Sequence, residues 1–315
     1  MTTRILIVEK FADVYARALT KHFTGIEIHK AASAAEIAVD LAAIDVLFAF
    51  GIAINHRMIA DARTLKWIAS LATGVDHFLR CPGLRPETIL TSARGIHGPA
   101  MRETAASLML ALSRDAARLV HNKDARRWDR GERWPLLAGK TAVIVGIGVS
   151  GSAIGELLKA FGMRVMGLSR TPREVAGFDA ILPTARLAEV AADADWLINV
   201  LPGSEANQGI FSRAVFAAMK PSAYFINVGR GETVDEAALV DCLRAKRIAG
   251  AGLDVFQNAP LAPDSPFWDL PNVFIAPQVG GFFVGYEEHV MPLLIDNMRL
   301  FLAGRFGEMH NVVKH

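Results

Sequence analysis

The chain has 315 residues, is 52% hydrophobic and 21% charged, and carries a formal net charge of +2 at pH 7. That length can bury one large core or two of about 100 to 200 residues each, and two domains is the expectation. The mild charge, without a dense Lys/Arg run, speaks against a nucleic-acid partner, and Cys81 and Cys242 lie far apart outside any CxxC or zinc-ligand pattern, so neither disulfides nor a metal is expected.

In chain order, Ile5-Leu6-Ile7-Val8 follows Arg4 as a short apolar run, too brief for a signal-peptide core or a membrane span, which predicts a soluble, cytoplasmic protein with no membrane partner. A helical pattern over Phe11 to His22 comes next, then apolar runs at Val46 to Phe50 and Trp67 to Leu71. This rhythm predicts βαβ units and a parallel sheet. From Pro99 to Asp115, the residues Met101, Ala105, Leu108, Met109 and Leu112 recur at helical spacing, with Pro99 suited to the first turn; this helix is expected to cross between two sheets. A second βα series runs through Thr141–Val145, Arg164–Leu168, Trp196–Leu201, Ala223–Val228, Gly250–Val255 and Val273–Ala276, predicting a doubly wound sheet. Met291 to Leu302 reads as a helix with Leu293, Leu294, Ile295, Met298 and Leu302 apolar, able to return to the first domain. The fold class is α/β with two doubly wound parallel sheets.

The first motif with chemistry in it is Gly146-Ile147-Gly148-Val149-Ser150-Gly151. GxGxxG alone is a weak signal, but here it follows a β-forming run and opens a helical pattern from Ala153 to Phe161. The first glycine permits a tight turn, the second lets backbone N–H groups approach a pyrophosphate, and the third allows close helix-to-strand packing. About 20 residues on, an NAD site presents an acid to the ribose; this chain has Ser169-Arg170-Thr171 instead. Two hydroxyls and a permanently charged guanidinium suit a 2′-phosphate, which points to NADP, with NAD possible.

Several separated motifs together resemble the D-isomer-specific 2-hydroxyacid dehydrogenase family, in its glyoxylate/hydroxypyruvate reductase-like branch. They are Ala72-Thr73-Gly74-Val75-Asp76, Gly95-Ile96-His97-Gly98-Pro99-Ala100-Met101, the dinucleotide turn, Leu201-Pro202, Asn227-Val228-Gly229-Arg230-Gly231, Gly250 to Phe256, and Asn311-Val312-Val313. The resemblance implies a Rossmann cofactor domain over 99–287, inserted into a flavodoxin-like substrate domain over 1–98 and 288–315, with the active site in a cleft between them. It also implies a homodimer acting on a small carboxylate substrate. Thr73, Gly74 and Val75 would offer backbone N–H groups to the substrate carboxylate. Arg230 matches the family's active-site arginine, Asp254 a nicotinamide carboxamide ligand, and Leu201, Pro202 and Val228 fall in cofactor-contact segments.

Two positions depart from that family pattern. The slot for a glutamate holds Ala259, before Pro260, and the slot for the proton-transferring histidine holds Gln278, after Pro277. A glutamine amide can donate a hydrogen bond to a developing alkoxide but exchanges no proton near neutral pH. The pair of changes is coherent, because a glutamate without its imidazole would leave an unpaired carboxylate in a dry cleft. His97, His77, Tyr286, Glu287, Glu288 and His289 are the other ionisable candidates around the expected cleft, none of them with a motif-level warrant. Three functions stay open: reduction of a 2-oxo acid with a substituted proton route, a catalytically silent dinucleotide-binding protein, and hydride transfer that needs no proton at the substrate oxygen.

Overall fold

The computed structural model describes residues 2–131 and 133–315. Two units emerge, one of Met1–Ile96 with Phe283–His315 and one of His97–Phe282.

The first unit holds strands β1 (Thr3–Val8), β2 (Ile26–Ala31), β3 (Val46–Ala49), β4 (Trp67–Ser70) and β5 (Ile89–Thr91), all parallel in the order β2-β1-β3-β4-β5. This is the flavodoxin-like order. Alternation along β1 divides the core: Ile5 and Ile7 join Tyr15, Leu19, Phe48, Trp67, Leu294, Met298 and Phe301 on one face, while Leu6 and Val8 join Leu47, Ile59, Ile68 and Phe78 on the other. Burial on both faces explains the apolar run Ile5–Val8 of β1 and the wholly apolar β3. Strand β2, Ile-Glu-Ile-His-Lys-Ala, and the three-residue β5 escape the sequence expectation. An edge strand keeps polar side chains in water, and three residues carry no period.

The C-terminal helix covers Tyr286–Leu302, starting five residues before the Met291 expected from the apolar pattern. Pro292 lies inside it. The start is set by Gly285, at φ 81°, and by Tyr286, whose ring is buried against Phe50 and Phe283.

The second unit contains β6 (Thr141–Val145), β7 (Arg164–Ser169), β8 (Ala180–Pro183), β9 (Trp196–Asn199), β10 (Tyr224–Asn227), β11 (Gly250–Leu253) and β12 (Val273–Ile275). All are parallel, in the order β12-β11-β10-β9-β6-β7-β8. The direction of winding reverses between β6 and β9, which is where doubly wound sheets bind ligands. Strand β8 was unmarked in the sequence, being a short, half-buried edge strand ending in Pro183. The helix Gly98–Ser113 belongs to this unit and packs on it closely: a methyl at Gly252 would lie 2.9 Å from the Leu108 Cβ. Among the described residues, no helix is long and apolar enough to cross a membrane.

Candidate functional site

The carboxyl ends of the second unit's strands carry the candidate residues, and the backbone explains why each stands where it does. After β6, Gly146 adopts φ 101°, a conformation that disfavours any side chain, and its N–H donates to the Leu168 carbonyl at 3.0 Å. A Cβ on Gly151 would lie 1.9 Å from the Gly146 oxygen. The third glycine is therefore imposed by contact with the first. At Gly148, a Cβ would meet nothing within 4 Å, which leaves open space at the N-terminus of the helix Val149–Ala160. Its first internal bond runs from Ser152 N–H to the Gly148 carbonyl, so the N–H groups of Val149, Ser150 and Gly151 precede the ladder. Such donors, at the positive end of a helix dipole, fit a pyrophosphate.

Ser169 ends β7 half-exposed, and its hydroxyl donates to the Thr171 carbonyl at 3.1 Å. To serve a phosphate as donor it has to turn from that carbonyl. Arg170, Thr171 and also Arg173 are exposed. Arg173, four residues beyond the end of β7, lies outside the motif expectation, which stopped at Thr171.

A buried polar cluster holds the next two loops. Asn199, at 0% exposure, ends β9; Asn227, at 2%, ends β10; Thr233, at 0%, follows Arg230. The Asn199 Nδ2 donates to Asn227 Oδ1 at 2.8 Å and to Thr233 Oγ1 at 2.7 Å. Their remaining capacity goes to backbone. Leu201 N–H donates to Asn199 Oδ1 at 3.0 Å, Gly229 N–H to Asn227 Oδ1 at 3.1 Å, and Thr233 Oγ1 to the Arg230 carbonyl at 2.6 Å. These bonds pull the chain out of the ladder at Asn199 and Asn227, two residues before the strand ends expected at Leu201 and one before Val228. Three satisfied amide and hydroxyl groups in a dry site are rigid, because breaking any one strands a buried partner.

That rigidity is transmitted to Arg230. A Cβ on Gly229 would sit 2.7 Å from the Leu201 oxygen, and one on Gly231 1.9 Å from the Phe256 carbonyl carbon. Arg230 is thus held between two close backbone approaches, half-exposed, with Nη1 donating to the Gly229 carbonyl at 2.8 Å. Sequence reasoning quoted Asn227 without a role and passed over Asn199 and Thr233; a polar residue closing a wholly apolar strand was the available signal.

Asp254, 3% exposed, follows β11. Its carboxylate accepts from Val279 N–H at 2.9 Å and from Gly280 N–H at 3.2 Å. Burial pushes the Asp254 carboxyl up from its ordinary range, and those two N–H groups pull it back. Its own carbonyl accepts from Gln278 N–H at 2.8 Å. Gln278, exposed, lies in the left-handed region at φ 57°, an uncommon state for a residue with a long side chain. Asp254 therefore shapes the turn that carries Gln278. Ala259 is exposed, beside Pro260. Thr73, Gly74 and Val75 belong to the first unit, after β4, where Ala93 N–H donates to the Ala72 carbonyl at 3.0 Å and the buried Tyr286 hydroxyl donates to the Leu71 carbonyl. Among the described residues, no group of three or more His, Cys, Asp or Glu is arranged to hold a metal ion.

Comparison with known proteins decides the family. Residues 106–280 match the family model "D-isomer specific 2-hydroxyacid dehydrogenase, NAD binding domain", and residues 5–78 match the catalytic domain of the same family. This chain belongs to the D-isomer specific 2-hydroxyacid dehydrogenase family. As a member it is an NAD(P)-dependent oxidoreductase, and its seven-stranded sheet is the Rossmann domain. A D-isomer specific 2-hydroxyacid dehydrogenase family protein from Aeromonas salmonicida superposes with a TM-score of 0.91 at 30% identity, covering 99% of both chains. The NADPH-dependent glyoxylate/hydroxypyruvate reductase of Sinorhizobium meliloti, solved with NADP and sulfate, superposes with a TM-score of 0.85 at 29% identity, over 99% of this chain and 98% of that one. Glyoxylate/hydroxypyruvate reductase B of Pectobacterium carotovorum is 29% identical over 98% of this dehydrogenase chain and 97% of its own.

Proposed function

We propose that this dehydrogenase is an NADP-dependent reductase of small 2-oxo acids in which Gln278 replaces the family's proton-donating histidine. The observation that carries the reading is the Gly229-Arg230-Gly231 loop, clamped by Asn199, Asn227 and Thr233. These bonds fix the backbone of the loop at the carboxyl end of a central strand, and in this reading the guanidinium it carries pairs with a carboxylate and polarises a keto oxygen. NADP is favoured because no carboxylate stands among Ser169–Arg173 and two exposed guanidinium groups do. The Sinorhizobium meliloti reductase and a 2-hydroxyacid dehydrogenase from Xanthobacter autotrophicus were solved with NADP and NADPH respectively.

In this scheme the Gly146–Gly151 turn holds the pyrophosphate, Leu201, Pro202 and Val228 flank the bound nucleotide, and Asp254 accepts from the nicotinamide carboxamide. When bound, the reduced cofactor supplies a hydride. Arg230 pairs with the substrate carboxylate and polarises the keto oxygen, and the backbone N–H groups of Thr73, Gly74 and Val75 are the first unit's proposed donors to a carboxylate. The Gln278 amide donates a hydrogen bond to the oxygen as negative charge develops, without giving up a proton.

A second reading is favoured by Gln278 and Ala259 themselves: a dinucleotide-binding protein without turnover. Calorimetric titration with NADPH and NADH, paired with assays on glyoxylate, hydroxypyruvate and larger 2-oxo acids, separates the two. Reduction of a 2-oxo acid with NADPH is expected, and Arg170→Ala is expected to weaken NADPH roughly tenfold or more while leaving NADH unaffected. Tight NADPH binding with no turnover on any acid supports the silent reading instead.

A further inference from the structure

We propose that Glu236 and Gln257 are positioning residues for Arg230: they staple the Arg230 loop to the segment that carries the Gln278 turn, and so set the spacing of the two. The inference rests on the reading of the chain as a 2-oxo acid reductase and gives a role to two residues outside its binding groups.

Strands β10 and β11 part at their carboxyl ends. Asp254 N–H still donates to the Asn227 carbonyl at 2.9 Å, but beyond it one chain becomes the Arg230 loop and the other the segment from Asp254 to Ala259, both past the paired strands. The two segments touch. A Cβ on Gly231 would lie 1.9 Å from the Phe256 carbonyl carbon and 2.2 Å from the Gln257 nitrogen. Contact of this kind sets a closest approach and does nothing to stop the segments from separating.

Bonds at Gln257 do that. Its backbone N–H donates to Glu236 Oε1 at 2.6 Å, and its side-chain Nε2 donates to the Val234 carbonyl at 2.5 Å. Val234 and Glu236 lie four and six residues past Arg230, and Val234 is 1% exposed, so the staple holds a fixed piece of chain. Glu236 opens the helix Glu236–Arg244 without serving as its cap. Asp235 caps that helix, its Oδ1 accepting from Ala238 N–H at 3.0 Å. The half-buried Glu236 carboxylate is thereby left to make a charge-assisted bond across to the Gln257 backbone. Gln257 itself is exposed, and an exposed glutamine gives up rotamer freedom to hold a carbonyl in place.

The far end of the segment is fixed independently. Asp254 accepts from Gln278 N–H through its carbonyl, and from Val279 and Gly280 N–H through its carboxylate. The helix Gly98–Ser113 grips the same turn: the Thr104 hydroxyl donates to the Gly280 carbonyl at 3.4 Å, and a methyl on Gly281 would lie 3.2 Å from His97 Cδ2. On its other side, the Arg230 loop is tied back to β9 and β10 by Asn199, Asn227 and Thr233. The Gln257 staple ties it forward to the β11 side. In the reductase reading, the Arg230 guanidinium and the Gln278 amide meet one keto oxygen at the same moment, and a misplacement of about 1 Å costs on the order of 100-fold.

The test compares the wild-type holoenzyme with the double variant Glu236→Ala/Gln257→Ala, which loses both bonds, and with Glu236→Gln, which keeps an acceptor oxygen. The double variant is expected to lose on the order of tenfold in kcat on the best 2-oxo acid, with KM for the acid and calorimetric affinity for NADPH within about twofold of wild type. Glu236→Gln is expected to keep wild-type kcat. Hydrogen–deuterium exchange read by mass spectrometry, which needs no turnover, is expected to quicken in the double variant over residues 228–236 and 254–258 and to stay unchanged over 146–160. Should the double variant fail to fold, Gln257→Ala alone, which trims one exposed side chain, is read by the same measures. Wild-type kcat, or unchanged exchange over 228–236, overturns the assignment while leaving the reductase reading in place. So does a fall in NADPH affinity equal to the fall in kcat, which would make the bonds supports of the fold at large. A wild-type protein that binds NADPH and reduces no 2-oxo acid overturns the reductase reading, and this assignment with it.

Discussion

The two sheets obey one folding rule and yet hold their carboxyl-end loops in different ways. In the seven-stranded sheet, the loops after β9, β10 and β11 are tied by buried side chains that satisfy one another: Asn199 to Asn227 and Thr233, and Asp254 to the Val279–Gly280 backbone. In the five-stranded sheet, the loop after β4 is held by the Ser70 hydroxyl, 3.1 Å from the Ala72 carbonyl, and by the Tyr286 hydroxyl on Leu71. Among the described residues, the fully buried Tyr15 hydroxyl of the same unit has no hydrogen-bond partner. The contrast teaches where precision is needed: on the proposed function, a site for a large, fixed-shape dinucleotide and an arginine on a clamped loop calls for buried polar ties, whereas a loop proposed to offer backbone N–H groups to a small anion is kept by lighter ones.

The strongest way to break the contrast is Gly231→Ala. With a Cβ 1.9 Å from the Phe256 carbonyl carbon, the Arg230 loop must move, and kcat/KM on a 2-oxo acid is expected to fall by a factor on the order of 1,000, checked by steady-state kinetics beside a circular-dichroism control. Next comes Asn199→Leu, which deprives Leu201 N–H, Asn227 and Thr233 of their buried partner at once. Chemical denaturation should report a loss of about 3 kcal/mol, and an unchanged midpoint would mean the cluster contributes little.

Smaller effects sharpen the comparison in the first unit. Tyr286→Phe removes the bond to Leu71 and is expected to lower stability by about 1 kcal/mol, raising substrate KM while NADPH affinity holds. Tyr15→Phe acts in the opposite direction: removing a buried hydroxyl that has no partner should leave stability equal or raise it by about 1 kcal/mol. A clear loss on thermal melting would show that the hydroxyl is paired in solution.

The smallest effect concerns a charged tie on the rim of the larger sheet. The Asp179 carboxylate accepts from Lys159 Nζ at 2.8 Å and from Val165 N–H at 2.7 Å, and these bonds hold its pKa below the ordinary carboxylate range. A depressed folded-state pKa means stability that is present above the unfolded value and lost as pH falls through the folded one. Asp179→Asn is therefore expected to cost under about 1 kcal/mol near neutral pH, the side chain being partly exposed and screened. The difference should begin to shrink as pH falls below about 4 and vanish once pH is below the depressed folded-state value, as followed by denaturation midpoints across pH.

How far the sequence could be read depended on the range of the forces involved. The glycine turn after β6 was legible because strand, turn and helix are neighbours in the chain, and Gly151 meets Gly146 only five positions away. Strands β1, β3, β6, β9 and β10 were legible because burial on both faces makes them apolar. Edge strands β2 and β8 were not, since an edge needs only one apolar face, and β5 is three residues long. The helix expected from Met291 begins at Tyr286 because a tertiary contact, the Tyr286 hydroxyl on Leu71, fixes its first turn across 215 positions of sequence.

The amino-acid order by itself determined the parallel α/β rhythm, the glycine turn after β6, the absence of an acid among Ser169–Thr171 and the glutamine at 278, since each is a local pattern of polarity or backbone freedom. Only the folded chain decided that Asn199, Asn227 and Thr233 form one buried clamp, that Asp254 shapes the Gln278 turn, and that the His97 ring rests on Gly281. Those pairings join residues tens to nearly two hundred positions apart. Hydrogen-bond direction and van der Waals contact act over a few ångströms in space, and no periodicity along the chain encodes which distant residues the sheet brings within that range.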